Sequence, residues 1–433
     1  MNKQAHEVDV AIVGGGMVGM TLALTLARQG IRVAVVEKTA LPSQLEPSFD
    51  GRVSAIAEGS RRVLAAAGAW DAMAPHAEPI LDIRVSDGDT PFFLHYDHRE
   101  VGHAPFGSIV ENRHIRHALQ QVAEGLPALA VFDNAALESF ERDAAGVTLR
   151  LQGKAIRARL LVGADGKNSA VRKEAGIGAT QWSYQQTAIV CTIAHEQPHG
   201  GLAQERFLPA GPFAVLPMKP LARREMAERL KNDSRMSFSE PFRGEDNYAH
   251  RSSLVWVEPN DRVQLYLDLP EDEFAQEIRE RAGDYPGAIR TAGPRFSYPL
   301  SLMHAKSYVA ERLALIGDAA HAIHPIAGQG VNLGFRDVAV LSELIGGRFR
   351  LGLDIGGGDM LSHYQRWRRF DNVAMLAVTD GLNRLFSNNS APVKLARGLG
   401  LWAVGKLPPL KRFFMQDAMG LAGDIPEIIK KFG

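Results

Sequence analysis

Two glycine-rich stretches hold residue types that could bind a phosphorylated or flat ligand. The first contains Gly14-x-Gly16-x-x-Gly19, and the second, HPIAGQGVNLGFRD, contains Gly328 and Gly330. Because glycine has no Cβ atom, a ligand can approach the backbone closely, and a helix that follows offers free N–H groups and the positive end of its dipole. Each stretch is consistent with a tight turn, a phosphate cradle or a platform for a flat cofactor, and the surrounding sequence decides among them.

The first stretch lies in a strand–turn–helix–strand pattern. A buried strand is predicted over Val8 to Val13, a helix ending at Gly30, and a second strand over Arg32 to Val36. In this context the three glycines provide a tight turn, room for a pyrophosphate and close packing of the helix on the strand. Glu37, followed by Lys38, ends the second strand, where a carboxylate accepts hydrogen bonds from ribose hydroxyls and repels a 2′-phosphate. The pattern therefore predicts a site for FAD or NAD.

A second motif, RLALIGDAAH, decides between these two dinucleotides. It predicts a short strand over Leu313 to Ile316, followed by Gly317 and Asp318. An NAD dehydrogenase needs nothing special at this point of the chain, whereas an extended FAD needs an acceptor for the hydroxyls of its ribityl chain. Since the Asp318 carboxylate is such an acceptor, the motif favours FAD.

The second glycine-rich stretch then has a specific interpretation. Gly328 and Gly330 lead into a helix that is predicted to begin near Val331. The helix would aim the positive end of its dipole at the pyrimidine side of a flavin, where the reduced ring carries negative charge. Pro325 holds the preceding His324 in an extended conformation, which would help to aim the loop. We therefore expect this stretch to lie against the flavin ring.

Composition and charge exclude several other functions. The 433 residues include 49 Lys and Arg and 49 Asp and Glu, so there is no basic field of the kind that nucleic-acid binding needs. The single cysteine, Cys191, excludes an intramolecular disulfide, a cysteine-rich metal centre and a disulfide reductase, and it fits a reducing, cytoplasmic compartment. Three His-x-x-His pairs lack carboxylates that would complete a ligand set, so no metal site is predicted.

Taken together, the motifs resemble those of a known family. GADGKNSAVR (Gly163 to Arg172), GDAAH and HPIAGQGVNLGFRD resemble single-component FAD monooxygenases with the p-hydroxybenzoate hydroxylase fold. Within that class, His-Pro-Ile-Ala-Gly-Gln-Gly-x-Asn-x-Gly-x-x-Asp is similar to the signature of the ubiquinone-biosynthesis aromatic hydroxylases. DGRVSAIAEGS (Asp50 to Ser60) and RRFDNVAMLAVTDGLNRLFSN (Arg368 to Asn388) resemble further segments of that family. The likeness extends over most of the chain.

The resemblance implies functions for further residues. Asp165, Gly166 and Arg172 would lie near both FAD and the nicotinamide donor, although a simple strand-to-helix turn accounts for the same segment. Arg52 would approach the FAD phosphates or the nicotinamide, or be a surface arginine. The predicted cofactor-binding residues are Gly14, Gly16, Gly19, Glu37, Lys38, Arg52, Asp165, Gly166, Arg172, Gly317, Asp318, Pro325, Gly328, Gly330, Val331 and Asn332.

The resemblance also implies a reaction. NADH or NADPH would reduce the FAD, dioxygen would form a flavin hydroperoxide, and the aromatic ring of a polyprenylated phenol would be hydroxylated in ubiquinone biosynthesis. A base that deprotonates the phenol would activate the ring; His321, His324 and Tyr184 are conceivable bases, and the sequence selects none of them. Two alternatives share the FAD motifs: a flavin-dependent isoprenoid reductase or dehydrogenase, and a non-catalytic flavoprotein of the biosynthetic complex.

The order of the motifs predicts an α/β fold, with a Rossmann-like FAD-binding domain, an inserted β-rich substrate domain and C-terminal helices. TAIVCTI, SSLVWVE and VQLYLDL are predicted strands of a sheet over the flavin, and residues 219–250 a loop insertion. The predicted ranges are 1–75, 105–180 and 295–370 for the FAD-binding domain, 76–104 and 181–294 for the substrate domain, and 371–433 for the helices.

The C-terminal region carries a basic segment. Between Gly381 and Gln416 there are six basic residues and no acidic one, interleaved with apolar and aromatic residues. Glycines and prolines break the segment too often for it to span a bilayer, but it could lie on an anionic membrane surface. We therefore expect peripheral contact with the inner face of the membrane, with other quinone-biosynthesis proteins as further partners. A helix pair packed on the FAD-binding domain would show similar apolar residues.

Overall fold

The structure is a computed structural model that describes residues 5–46, 50–88, 93–222, 248–283, 286–323, 328–386, 400 and 404–432. The strands are β1 (His6–Val13), β2 (Val33–Val36), β3 (Val53–Ala57), β4 (Glu78–Ile80), β5 (Asp82–Asp87), β6 (Phe93–Asp97), β7 (Gly107–Glu111), β8 (Leu129–Phe132), β9 (Leu137–Asp143), β10 (Gly146–Leu151), β11 (Lys154–Gly163), β12 (Ala179–His195), β13 (Leu202–Leu208), β14 (Gly211–Ala222), β15 (Tyr248–Pro259), β16 (Ile289–Thr291), β17 (Phe296–Ala305), β18 (Val309–Ala310), β19 (Leu313–Leu315) and β20 (His321–Ala322). The helices are α1 (Met17–Ala27), α2 (Glu58–Ala66), α3 (Trp70–Met73), α4 (Asn112–Glu124), α5 (Ala170–Glu174), α6 (Asn260–Leu267), α7 (Glu271–Ala282), α8 (Gly330–Arg350), α9 (Gly358–Phe386), α10 (Pro408–Ala418) and α11 (Glu427–Lys431).

The first sheet is mainly parallel. Its order is β18-β19-β11-β1-β2-β8, and β10 and β9 extend it from β11 as an antiparallel hairpin. Residues 8–13 of β1 are all buried, as expected for a parallel strand that is covered on both faces. Helix α1 is apolar nearly all round and packs between this sheet and α8. This layer contains the predicted βαβ unit.

The second sheet is mainly antiparallel, with the order β20-β17-β12-β15-β14-β13-β5-β6, and with β16 beside β12. The side chains of β12 alternate between its two faces. Ile189, Cys191 and Ile193 pack against α6 and α7 on one face, whereas Ala188 and Val190 join an apolar cluster on the other. TAIVCTI and SSLVWVE lie within β12 and β15, as predicted. A small third sheet, β3-β7-β4, lies beside the other two.

One strand prediction was wrong. VQLYLDL was expected to be a strand, but it lies mostly in helix α6, which follows Pro259 and carries Asp261 in its first turn. A strand would place Val263 and Leu265 on the same face, yet Val263 is buried and Leu265 is 67% exposed. Burial of Val263, Tyr266 and Leu267 against the sheet matches helical spacing, because residues three or four apart share one helix face.

Two strand pairings cross the predicted domain boundaries. β17, which falls within the range 295–370, pairs with β12 in the second sheet, and β4, which falls within 76–104, pairs with β7 in the third. The predicted loop insertion is shorter at both ends, because β14 continues to Ala222 and β15 begins at Tyr248. Residues 223–247 lie outside the described residues. The domain boundaries stay a prediction.

The C-terminal helices pack at different places: α9 contacts α8 and β18, α11 contacts α2 and α8, and Met415 of α10 joins the apolar cluster that contains Ile80 and Ile109. Helix α8 begins at Gly330, next to the predicted Val331, and α9 packs along it. Within the described part of the chain, no helix has the length and apolar character that crossing a membrane would require.

Candidate functional site: a cleft for FAD

The glycines of the first turn have the separate geometries that the spacing predicted. Gly14 has a φ of +110°, and a Cβ atom there would lie 2.3 Å from the carbonyl oxygen of Ala164. A Cβ atom on Gly19 would lie 2.0 Å from the Gly14 oxygen, so these two glycines are required by packing. Gly16 precedes α1, and a Cβ atom there would meet no protein atom within 4 Å. The space at Gly16 suits a pyrophosphate at the helix N-terminus.

Glu37 fixes this turn. Its Oε2 atom accepts a hydrogen bond from the Gly15 N–H at 2.7 Å, and its Oε1 atom accepts one from the Thr39 N–H at 2.9 Å. A carboxylate has about four lone-pair sites, so Glu37 can still accept from ribose hydroxyls. Lys38 beside it is exposed.

The second motif forms a turn at the edge of the first sheet. Gly317 has a φ of +56°, and its N–H donates to Oδ2 of Asp337 at 2.9 Å. The side chain of Asp318 is accessible, and yet the protein around it raises the pKa of this carboxyl group. An accessible group that is largely surrounded by protein lies in a cleft. The position suits an acceptor for ribityl hydroxyls.

Arg52 lies across this cleft and is anchored by Asp50. The two form an ion pair at 2.8 Å, and the Arg52 guanidinium stacks 4.7 Å from the ring centre of Tyr298. Asp50 also accepts from Asn112 at 2.9 Å and from Arg116 at 2.6 Å. Burial by itself would raise the pKa of Asp50, but these hydrogen bonds and charges outweigh it and hold the pKa well below its usual range. Arg52 is therefore a fixed, accessible cation near Asp318.

The Asp-Gly segment has a structural function in the protein itself. Asp165 accepts hydrogen bonds from the Ser169 hydroxyl at 2.5 Å and from the Ala170 N–H at 2.7 Å. It thereby orders the turn into α5, in which Gly166 has a φ of +80°. This arrangement is the strand-to-helix turn that is the alternative to the functional interpretation. A cofactor function for Asp165 and Gly166 stays a prediction.

Arg172 connects two of the predicted motifs. It is buried, and it donates to the carbonyl oxygens of Lys167 and Ala319, both at 2.8 Å. The Asp-Gly segment is thus held against the turn that contains Asp318. Direct contact of Arg172 with a dinucleotide stays a prediction, since its guanidinium is already used between the two loops.

The start of α8 borders the same cleft. Among the described residues, a Cβ atom on Gly330 would meet no atom within 4 Å, whereas Gly328 has a φ of +63° and approaches Ala55. Gly330 therefore lies beside open space, and Gly328 is needed by the turn itself. Val331 is partly buried. This is the arrangement expected if a flat ring lies against the helix N-terminus.

Asn332 faces the protein and not the cleft. Its Nδ2 donates to the Ala55 carbonyl at 2.8 Å, and its Oδ1 accepts from the Ala57 N–H at 3.0 Å. The side chain therefore ties α8 to β3, and any cofactor contact of Asn332 would involve its backbone. His324 and Pro325 lie outside the described residues.

A buried ionic network lies under the second turn, and the sequence analysis assigned it no function. Asp337 accepts from His321 Nε2 at 2.6 Å and from Arg368 Nε at 2.7 Å, and both carboxylate oxygens are fully buried. Burial opposes ionisation, but His321 and Arg368 outweigh it and lower the pKa of Asp337 to about 2. The signal in the sequence was Asp337 itself, the last residue of the second glycine-rich motif.

The conceivable bases are placed differently. His321 is 1% exposed and is bonded to Asp337. The hydroxyl of Tyr184 donates to Oδ1 of Asp380, on α9, at 3.1 Å. Tyr184 and Tyr298 both pack against the apolar cluster of the second sheet. Of the two described candidates, only Tyr184 is partly accessible.

These features define a class of protein. Open space at Gly16 and at Gly330, acceptors at Glu37 and Asp318, and two helix N-termini fit an extended FAD. A parallel βαβ layer that is joined to an antiparallel sheet fits the fold class predicted from the motifs.

The comparisons with known proteins agree. Residues 7–350 match the family described as FAD binding domain. The chain is 48% identical over 413 residues to the ubiquinone hydroxylase UbiL of Rhodospirillum rubrum, covering 95% of this chain and 89% of that protein. It is 35% identical over 418 residues to the 3-demethoxyubiquinol 3-hydroxylase of Escherichia coli, covering 95% and 98%. The chain therefore belongs to the FAD-dependent aromatic hydroxylases of ubiquinone biosynthesis, and the predicted family is confirmed.

Solved structures confirm the fold class. The p-nitrophenol 4-monooxygenase PnpA of Pseudomonas putida superposes with a TM-score of 0.73 at 20% identity, covering 96% of this chain and 99% of that one. PqsL of Pseudomonas aeruginosa superposes with a TM-score of 0.72 at 22% identity, covering 92% and 100%. At these identities the likeness concerns the fold alone.

Proposed function

We propose that this protein hydroxylates the aromatic ring of a polyprenylated phenol in ubiquinone biosynthesis, with FAD as cofactor, dioxygen as oxidant, and NADH or NADPH as electron donor. The observation that carries the proposal is the 48% identity to a ubiquinone hydroxylase over 95% of the chain. The cleft supports it, because the groups suited to FAD converge there from three separate parts of the sequence.

The residues of the cleft would hold the cofactor as follows. The N-terminus of α1 beside Gly16 would receive the pyrophosphate, Glu37 the adenosine ribose, and Asp318 the ribityl hydroxyls. The N-terminus of α8 beside Gly330 would face the flavin. The chemistry that bound FAD would supply is the acceptance of two electrons from the nicotinamide donor and the activation of dioxygen. Arg52, accessible and fixed by Asp50, would attract the anionic part of FAD or of the donor.

The protein's own contribution is orientation and exclusion of water. The apolar cluster of the second sheet, formed by Ala188, Val190, Val257 and Leu300, lies on the face opposite α6 and α7. An apolar wall favours a prenylated ring and keeps water from the reacting atoms. This supports an aromatic, apolar substrate.

Labelled dioxygen tests the proposal directly. We expect purified protein to bind one FAD per chain and to transfer oxygen from ¹⁸O₂ into a prenylated phenol. A flavin-dependent reductase would convert an isoprenoid without incorporating label, and a non-catalytic flavoprotein would yield no product. Mass spectrometry of the quinone intermediate that accumulates in a strain lacking the protein would identify the ring position.

We also propose contact with a membrane surface through the C-terminal helices. Large apolar side chains are exposed on α10, where Phe413 is 55% exposed, and on α9, where Phe370 is 78% exposed. Lys406 and Arg412 are exposed cations beside α10, whereas Lys411 forms an ion pair with Glu100 at 2.6 Å. Exposed rings flanked by cations suit the headgroup region of an anionic bilayer.

Vesicle binding tests this contact. The holoprotein should bind vesicles of anionic phospholipid more tightly than neutral ones, and salt should weaken the binding. Changing Lys406 and Arg412 to Glu should reduce it while FAD is retained. Lys411→Glu is the matched control, because it makes the same change of charge at a residue that is already engaged in an ion pair. Equal binding to neutral vesicles would contradict the proposal.

A further inference from the structure

A tyrosine and an aspartate meet where the second sheet contacts α9. The Tyr184 hydroxyl donates to Asp380 Oδ1 at 3.1 Å, although the two residues lie 196 positions apart. The register between β12 and β17 shifts between Ser183 and Thr187, and Gln185 has a φ of +56°. Irregularities of this kind redirect side chains and occur often beside active sites. The local backbone thus departs from a regular strand at Tyr184.

Tyr184 lies on the side of the sheet that faces the cofactor cleft. It packs in one apolar cluster with Tyr298, whose ring lies 4.7 Å from the Arg52 guanidinium. Arg52 in turn acts electrostatically on Asp318. The opposite face of the sheet is covered by α6 and α7. Tyr184 therefore lies on the same sheet face as Tyr298, whose ring is next to Arg52. A substrate ring next to the flavin would lie on this face.

Hydroxylation of a phenol requires a place for one proton. When an electrophilic oxygen adds to the ring, the phenol oxygen becomes the oxygen of a protonated ketone. Its O–H group is then far more acidic than a phenol, whose own pKa is about 10. A carboxylate is a sufficient base at that moment, provided that a hydrogen bond or a relay connects it to the substrate.

We propose that Tyr184 and Asp380 act together as this base. The substrate O–H bond breaks and its electron pair forms the carbonyl bond. The proton passes to Tyr184 Oη, while the proton of Tyr184 passes to Asp380 Oδ1. No oxidant is needed beyond that of the hydroxylation, and the inference rests on the proposed hydroxylase function.

Other acid–base groups near the cleft are less suitable. His321 is buried and bonded to Asp337. Tyr298 lies near Asp50, and burial together with this carboxylate raises the pKa of the tyrosine, but Arg52 and other donors make Asp50 a very weak base. Tyr298 thus provides a rival tyrosine–aspartate pair that an experiment can compare with Tyr184 and Asp380.

The test measures a single turnover of the holoenzyme. FAD is reduced with dithionite, so that the result does not depend on the natural donor, and the protein is mixed with dioxygen and 2-prenylphenol from neutral to alkaline pH. We expect Tyr184→Phe and Asp380→Asn to slow hydroxylation at neutral pH by about 100-fold. Their rates should rise in proportion to the phenolate form of the substrate, and a more acidic, fluorinated 2-prenylphenol should restore them.

Controls separate this function from a purely structural contact. Tyr266→Phe removes a tyrosine hydroxyl on the opposite face of the sheet and should leave the pH profile unchanged. Flavin occupancy and melting temperature are measured for every variant. The unmodified enzyme should show a solvent deuterium isotope effect at neutral pH that disappears once the substrate is ionised.

Three results would overturn the inference. One is equal loss of rate at every pH with both phenols, which would make the pair a structural contact. Another is the finding that Tyr298→Phe shows the expected pH dependence and Tyr184→Phe does not. The third is the absence of an isotope effect in the unmodified enzyme. A protein that binds FAD but hydroxylates neither phenol would refute the proposed function itself.

Discussion

Both ends of the cleft use a carboxylate to hold a glycine turn, but the two carboxylates differ in their surroundings. At the nucleotide end, Glu37 accepts from the Gly15 N–H, 22 residues away. At the flavin end, Asp337 accepts from the Gly317 N–H and is also paired with His321 and with Arg368 of α9. The first turn is organised within one βαβ unit. The second depends on a C-terminal helix.

The difference has an energetic consequence. Glu37 is 9% exposed and keeps some hydration, whereas Asp337 and Arg368 are 0% and 1% exposed and depend on each other. Removing one partner of a buried pair leaves an uncompensated charge and is strongly destabilising. The flavin end should therefore be the more sensitive to substitutions that are distant from any ligand.

The largest expected effect comes from breaking the buried pair. Arg368→Met should lower the free energy of unfolding by about 3 to 5 kcal/mol, as measured by urea denaturation. Since the folded-state pKa of Asp337 is about 2, ionised Asp337 stabilises the fold above the unfolded-state pKa of about 4. This contribution is lost as the pH falls from about 4 towards 2, and the variant, in which His321 is the remaining partner of Asp337, should show a smaller pH dependence in this range. Lys430→Met, which breaks an exposed ion pair, is the control and should leave the midpoint of the urea transition nearly unchanged.

The nucleotide end can be tested with two neighbouring glycines. Gly19→Ala should destabilise the FAD-free protein by about 3 kcal/mol, because the new methyl group would overlap the Gly14 oxygen. Gly16→Ala should leave that stability within about 0.5 kcal/mol and weaken FAD binding instead. Denaturation of the FAD-free protein and titration with FAD measure the two effects. Similar behaviour of both variants would contradict the assignment of the pyrophosphate to Gly16.

Asp318 tests the acceptor at the flavin end. Asp318→Ala should weaken FAD binding by about 1.5 to 3 kcal/mol, because ribityl hydroxyls would lose a charged acceptor. Asp318→Asn retains an acceptor oxygen and should therefore weaken FAD binding less than Asp318→Ala does. An unchanged FAD dissociation constant in both variants would show that the carboxylate does not contact the cofactor.

Gly330 is expected to have the smallest effect on the protein alone. Gly330→Val should leave the melting temperature of the FAD-free protein unchanged, since a Cβ atom there meets no atom of the part of the chain that the structure describes. It should weaken FAD binding by about 1 to 2 kcal/mol by occupying the space at the ring. Gly328→Val, at a φ of +63°, should by contrast lower the melting temperature. If Gly330→Val bound FAD normally, the segment would be only a turn.

Short apolar runs marked the limit of prediction from the sequence. VQLYLDL has the composition of a strand, and yet it forms a helix because Pro259 precedes it and the sheet below accepts Val263, Tyr266 and Leu267 at helical spacing. A short apolar run is compatible with both structures until its neighbours are known. The functions of Asp337 and Arg368 were missed for a similar reason, since each looks like an ordinary charged residue of a helix.

Local residue patterns were sufficient to predict the βαβ unit, the three-glycine turn, Glu37 and the motif around Asp318, because these contacts are local and their spacing reflects backbone geometry. The family resemblance followed from the same motifs. The folded chain was needed to show that Asp337 is paired with Arg368, that Arg172 bridges two loops, and that Tyr184 meets Asp380. These contacts join residues far apart in the chain. Their energies depend on burial, which no local pattern of residues specifies.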